Sequence, residues 1–195
     1  MGLQAWHRAI TSEIGEGTVY TGNMHPFTHA AAGWLIAQPG GSLRDRKLIT
    51  AAAVIPDVDG LAILGGGDAY SRLHHTFGHN LWAGAAFAVF TFVVARRRFN
   101  TAVLSFVAFN SHIVGDLLGS GEDWPIPYFW PVSSRPYSFV PPFQWELVSW
   151  QNILITVILI GAIVRIGYKR GRTIVECVSP SADRSICAAI QSRLA

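Results

Sequence analysis

The chain is 195 residues long, 50% hydrophobic and 12% aromatic, with 14% charged residues and a formal net charge of +3. A soluble domain carries about 25% charged residues, so this deficit, with a mean hydropathy of +0.31, excludes a disordered tail protein and indicates one domain that keeps part of its surface in lipid. The 15 Lys and Arg against 12 Asp and Glu lie in short clusters between apolar runs, which fits membrane topology and not nucleic-acid binding.

Residues 1–23 are mixed polar, with Gly15, Gly17 and Gly22, and lack the basic start, apolar core and cleavage site of a secretory signal. They read as an N-terminal extension, with Met24 a candidate natural start, and His7 and His25 carry no assigned role. Thr28 is placed to cap a first helix over 29–38, which Pro39-Gly40-Gly41 ends. A second helix runs from Lys47 to Ile55 and stops at Pro56, because proline lacks the amide proton and clashes with the preceding turn. Asp57 and Asp59 follow that stop. After a glycine loop, Gly65-Gly66-Gly67, His74, His75 and His79 precede a third helix over 81–95, which ends in Arg96-Arg97-Arg98. A fourth helix over 101–118 is apolar except for Ser105, Asn110, Ser111, His112 and Asp116. Six prolines and a run of aromatics that includes Trp124, Tyr128, Phe129, Trp130, Tyr137 and Phe143 between 119 and 143 predict an ordered, non-helical loop that lies over something. A fifth helix runs from about 145 to 167, and residues 173–195 form a weakly amphipathic tail. Cys177 and Cys187 in that tail offer neither a disulfide framework nor a thiolate metal site.

These elements predict an all-α fold: a membrane-embedded bundle of about five helices over 24–172. Each apolar run is shorter than the roughly 20 residues that cross a bilayer untilted, so the number of full spans stays open. If the helices alternate up and down, the start of helix one, the end of two, the start of three, the end of four and the start of five share one end. Every His and Asp singled out in the bundle converges there, beside the proline- and aromatic-rich loop. The opposite end collects Arg44, Arg46, Lys47, Arg96, Arg97, Arg98, Arg165, Lys169, Arg170 and Arg172. By the positive-inside rule the basic end is cytoplasmic and the polar cluster faces outward.

Four separated groups of nitrogen and oxygen donors define that cluster: Thr28-His29, Pro56-Asp57-Val58-Asp59-Gly60, His74-His75-Thr76-Phe77-Gly78-His79-Asn80, and His112-Ile113-Val114-Gly115-Asp116. Imidazole with carboxylate suits zinc, manganese or iron. His112 and Asp116 are spaced i,i+4 and project from one helix face; the same holds for His75 and His79 if the third helix begins early. Taken singly, each group has a plainer meaning: a side-chain hydrogen-bond pair for His-x-x-x-Asp, a helix stop and turn for Pro-Asp-x-Asp-Gly. A calcium loop is excluded, since Ala62 stands where glycine is needed and Asp68 where glutamate is. The aromatics of 124–143 read first as interfacial belt residues. The number of costly ionisable groups at one membrane level, eight in all, is what indicates metal binding.

The order Thr-His, Pro-Asp-x-Asp, a His-rich segment ending in His-Asn, and His-x-x-Gly-Asp resembles the YdjM-type membrane-bound metal-dependent hydrolases, described as LexA-binding and inner-membrane-associated. The match covers roughly residues 24–145. Many relatives read His-Arg-Gly-x-Thr-His-Ser in the third group, so His74 and His79 match the family's histidines while His75 replaces an arginine, and His74 and His75 both remain candidates. The His112-x-x-Gly115-Asp116 element is also similar to the ligand helix of zinc-dependent phospholipase C and its single-strand-nuclease relatives, whose further downstream ligands have no counterpart here. The resemblance implies metal-assisted hydrolysis of a phosphoester in the inner membrane. On that reading His29, Asp57, His79, His112 and Asp116 hold a divalent metal, Zn first with Mn or Fe as alternatives. Asp59 bridges or orients, His74 or His75 completes the set, and Asp57, Asp59 or a metal-activated water serves as base. A lipid head group or another membrane-associated phosphoester is the expected substrate, with membrane lipid the expected partner and no nucleic acid. A second reading is a non-catalytic membrane protein with a structural metal that binds a regulatory protein. A third is a transporter, which predicts ligands near mid-helix, not at helix ends.

Overall fold

The computed structural model describes residues 26–121 and 124–194. The expected extension 1–23, Met24, His7 and His25 lie outside the described residues. Within them the chain is all-helical: α1 (Pro26–Ile36), α2 (Leu43–Ala52), a 3-10 helix (Ile55–Gly65), α3 (Gly67–Leu73), α4 (Leu81–Val94), α5 (Arg98–Gly119), α6 (Trp150–Arg170), a 3-10 turn (Ile174–Cys177) and α7 (Pro180–Leu194). The five expected helices are α1, α2, α4, α5 and α6.

Local chemistry sets the element ends. Ser42, Asn80 and Ser149 each place a side-chain oxygen on the backbone N–H three residues on, capping α2, α4 and α6. Gly171 closes α6 in the left-handed conformation with φ 61°. Several boundaries differ from expectation: α2 is Leu43–Ala52 and not 47–55, α6 begins at Trp150 and not near 145, and three more bear on the site. Pro26 starts α1, because proline fits the first helical turn, so Thr28 lies inside it and hydrogen-bonds Thr156 Oγ1 of α6 at 2.9 Å. Pro56 does not end the ordered chain; it opens an 11-residue 3-10 helix that carries Asp57 and Asp59. Asn80 caps α4 so that the helix begins at Leu81. His75 and His79 therefore do not share a helix face, and His75 takes φ 65° in the turn before it.

α5 is the axis of the bundle, packed against α4, α2 and α1, while α6 packs on α1 and α7. Ala37, Ile49, Ala52, Ala53, Ala108, Phe109 and Ile113 form the main core, with Ile126 of the long loop closing one end. Where α1 meets α2, a Cβ at Gly33 would run into the Ala53 methyl; the contact is close enough to require glycine. α5 and α6 are long and apolar enough to cross a membrane, and α2 with the following 3-10 helix forms a third candidate span bent by 51°. Val89, Phe90, Phe92 and Val93 of α4, and Ile153, Val157, Ile158 and Ile160 of α6, are exposed, as lipid-facing side chains are. Residues 173–194 fold back on the bundle: Glu176 is buried against Arg46 of α2, and Asp183 accepts from the Thr173 N–H.

Candidate metal centre

The site lies where the end of α2, the start of α1, the turn before α4 and the end of α5 meet. Asp57, His79, His112 and Asp116 each present one ligand atom within 4.8 Å of all the others. His79 Nε2 and His112 Nε2 are 3.2 Å apart. Asp116 Oδ2 lies 2.9 Å from His112 Nε2 and 3.2 Å from His79 Nε2, and Asp57 Oδ1 lies 3.5 Å from His112 Nε2.

The far side of each imidazole shows what these atoms offer. His112 Nδ1 is 2.8 Å from the Ala53 carbonyl oxygen, and His79 Nδ1 is 2.9 Å from Asp59 Oδ2. Both partners only accept, so both Nδ1 atoms carry a proton, and the two Nε2 atoms are left facing one another and the Asp116 carboxylate, each a lone pair in the neutral ring and a second N–H in the charged one. A proton on one Nε2 satisfies a single pairing. A divalent cation between them satisfies all, and about 3 Å is the edge of a coordination shell whose bonds are about 2.0–2.1 Å. Asp116 Oδ2 and His29 Nε2, both buried, make no well-directed hydrogen bond, although His29 Nε2 is 3.2 Å from Asp116 Oδ1. The His29 ring stacks on His112 with centroids 3.8 Å apart. Three carboxylates and few cations in a buried pocket call for positive charge, and the donor set fits a divalent ion.

Asp59 stands behind the group. One of its oxygens is 2.7 Å from His74 Nδ1; the other takes the Gly78 N–H at 3.1 Å as well as His79 Nδ1. Of the two roles open to it, bridging or orienting, both oxygens are engaged in orienting, and Asp57 is the carboxylate left facing the cluster. His74 thus meets Asp59, while His75 turns its ring to within 4.4 Å of the His79 ring and neither is among the four converging residues. Burial and the neighbouring His79 push His75 down to about 3. For His79, burial acts downward, yet the hydrogen bonds to Asp116 and Asp59 outweigh it and the net direction is up.

Four further groups build the site: the Ala53 carbonyl and Tyr70 had no sign in the sequence, while Gly78 stood in the histidine segment and Trp124 among the loop aromatics without either being read as part of the site. The Ala53 carbonyl is a backbone atom and leaves no residue-type signal. Gly78 lets the histidine turn lie on the 3-10 helix, since a Cβ there would overlap the Pro56 carbonyl oxygen. Tyr70 stacks on His74 at 4.5 Å, and Trp124 packs edge-on against Tyr70, His74 and His75 at 5.6–5.9 Å. Burial, with Asp57 and Asp59 nearby, pushes the Tyr70 hydroxyl up. The loop after α5 therefore does lie over something: Trp124 covers the histidine turn. The loop is anchored by Leu81 N to the Tyr128 carbonyl and by the Ile126–Tyr137 bridge.

The family model described as YdjM inner membrane protein matches residues 24–187. Among curated proteins and solved structures no significant match to the chain was found.

Proposed function

Because the chain belongs to the YdjM inner membrane protein family, we take a membrane protein as the premise and propose that it is a metal-dependent hydrolase acting on a phosphoester. The observation that carries this reading is the pair of Nε2 atoms facing each other at 3.2 Å beside two carboxylates. Asp57, His79, His112 and Asp116 would hold the ion, zinc by donor type with manganese or iron as alternatives, and His29 lies next to Asp116 as a further donor. A divalent ion bound there supplies an activated water, with its pKa brought toward about 7, and neutralises charge on the phosphoryl oxygens. In hydrolysis the water oxygen bonds to phosphorus, the ester P–O bond breaks and the leaving oxygen takes up a proton. Asp57, with its side chain 15% exposed where the other three are wholly buried, is positioned to accept the proton that water gives up. Asp59 and the Ala53 carbonyl fix the tautomers that keep both Nε2 atoms available.

The second reading, a structural metal in a protein that binds a regulatory partner, draws support from the complete burial of His79, His112 and Asp116, since structural sites are closed by four protein ligands. The partial exposure of Asp57 favours the hydrolase. By the positive-inside rule the basic end, where Asp45 accepts from the Arg96 and Arg97 N–H groups and Arg172 reaches Gln38, faces the cytoplasm and the site faces the other side. The test is turnover of an aryl phosphodiester by detergent-purified protein with and without divalent metal. Metal-dependent turnover lost in Asp57→Ala supports hydrolysis; stoichiometric metal with no turnover on any phosphoester moves the assignment to the binding protein.

A further inference from the structure

The 3-10 helix that supplies Asp57 and Asp59 has a second face. A 3-10 helix turns once every three residues, so side chains at i, i+3, i+6 and i+9 eclipse. Ile55, Val58, Leu61 and Leu64 occupy those positions, and they are 36%, 53%, 61% and 85% exposed, rising along the segment. Pro56 is buried on a second face with Asp59, whose oxygens are taken by the histidine turn. Asp57 heads the third face, flanked in the chain by Pro56 and the stripe residue Val58. It is also the member of the cluster through which the buried pocket meets the outside. Together with α2, this segment is a candidate membrane span by length and hydropathy, and in that setting an apolar stripe on it faces acyl chains.

We propose that the metal centre opens sideways into the bilayer along this stripe, and that its substrate is a long-chain membrane phosphodiester: the phosphate reaches the cluster past Asp57 while the chains lie along Val58, Leu61 and Leu64. The proposal rests on the hydrolase reading and sharpens it to an amphiphilic substrate. A water-soluble phosphoester gains nothing from four exposed apolar side chains beside Asp57. A membrane lipid keeps its chains against the stripe, in the bilayer, while its phosphate reaches Asp57.

Two measurements test it. In a Cys177→Ser, Cys187→Ser background in nanodiscs of phosphatidylglycerol and phosphatidylcholine, nitroxides at Leu61→Cys and Leu64→Cys should be relaxed by oxygen and shielded from a water-soluble nickel chelate; the reverse pattern overturns lateral access whatever the activity. Turnover of phosphatidylglycerol in the same discs is then compared with turnover of a soluble aryl phosphodiester. The double variant Leu61→Asn, Leu64→Asn should lower the lipid-to-soluble ratio of kcat/KM at least tenfold, through KM. Val157→Asn, on the exposed face of α6, should leave that ratio unchanged. An unchanged ratio in the stripe variant, or soluble turnover with none on lipid, overturns this proposal and leaves the hydrolase standing. Absence of turnover on both, in metal-loaded protein, overturns the hydrolase and this substrate with it.

Discussion

Both ends of the bundle bury charge, and they do so in opposite ways. At the basic end Arg46 meets Glu176 through two hydrogen bonds of 2.6 Å, from Nε and from the Nη2 group, while its other terminal nitrogen donates to the Gly41 carbonyl and Trp34 Nε1 donates to the same Glu176 at 3.0 Å. Each carboxylate oxygen is satisfied and the guanidinium is held as a fork. At the other end two imidazole Nε2 atoms and two carboxylates converge on one another, with the Nδ1 side of both rings already committed elsewhere. One end is a finished ion pair that ties the last helices to α2; the other brings together four ligand atoms that could hold a cation. Charge is buried at both, so burial alone does not separate structural charge from a ligand site. The pairing of donors with acceptors does.

Breaking the metal end has the largest expected effect, because metal-binding free energy counts as folding free energy. His112→Ala should abolish stoichiometric metal, and the drop in Tm that chelation produces in wild type should vanish in the variant. Next comes the basic end: Glu176→Ala leaves Arg46 buried without its partner and should destabilise the fold by about 3–5 kcal/mol in a detergent unfolding titration. The double replacement Arg46→Met, Glu176→Leu should recover most of that loss, whereas no apolar replacement restores the metal end. Asp59→Asn is milder: it removes the carboxylate that orients His79 and should weaken metal affinity about 10–100-fold with little change in the metal-free Tm. The smallest effect belongs to Thr28→Val, which removes the 2.9 Å bond between α1 and α6. It should cost about 0.6 kcal/mol in unfolding free energy, typical of a hydrogen bond between membrane helices, and leave metal content alone.

Much of this contrast was legible in the residues. The alternation of apolar runs with basic clusters placed α4, α5 and α6, and the i,i+4 spacing of His112 and Asp116 put both on the face that points at the site. The short-range detail was not legible where backbone geometry decides it. A Pro56 that reads as a helix stop opens a 3-10 helix because its fixed φ suits a first turn, and Asp57 and Asp59 then point to different neighbours instead of trailing in a loop. Asn80 supplies an N-cap that delays α4 past His79, so the i,i+4 reading of His75 and His79 fails. The Ala53 carbonyl, which sets the His112 tautomer, carries no side-chain signature. Glu176, isolated in a weakly amphipathic tail, gives no sign of its partner because Arg46 lies 130 residues away in the chain.

The central claim is that the His79–His112 end holds a divalent ion, and the most direct measurement is the metal-to-protein ratio of detergent-purified wild type beside His79→Ala, His112→Ala and Arg46→Met, Glu176→Leu. The account predicts stoichiometric zinc, manganese or iron in wild type, lost in both histidine variants and retained in the double variant at the basic end. A folded wild type that stays metal-free after incubation with each of these ions would contradict it.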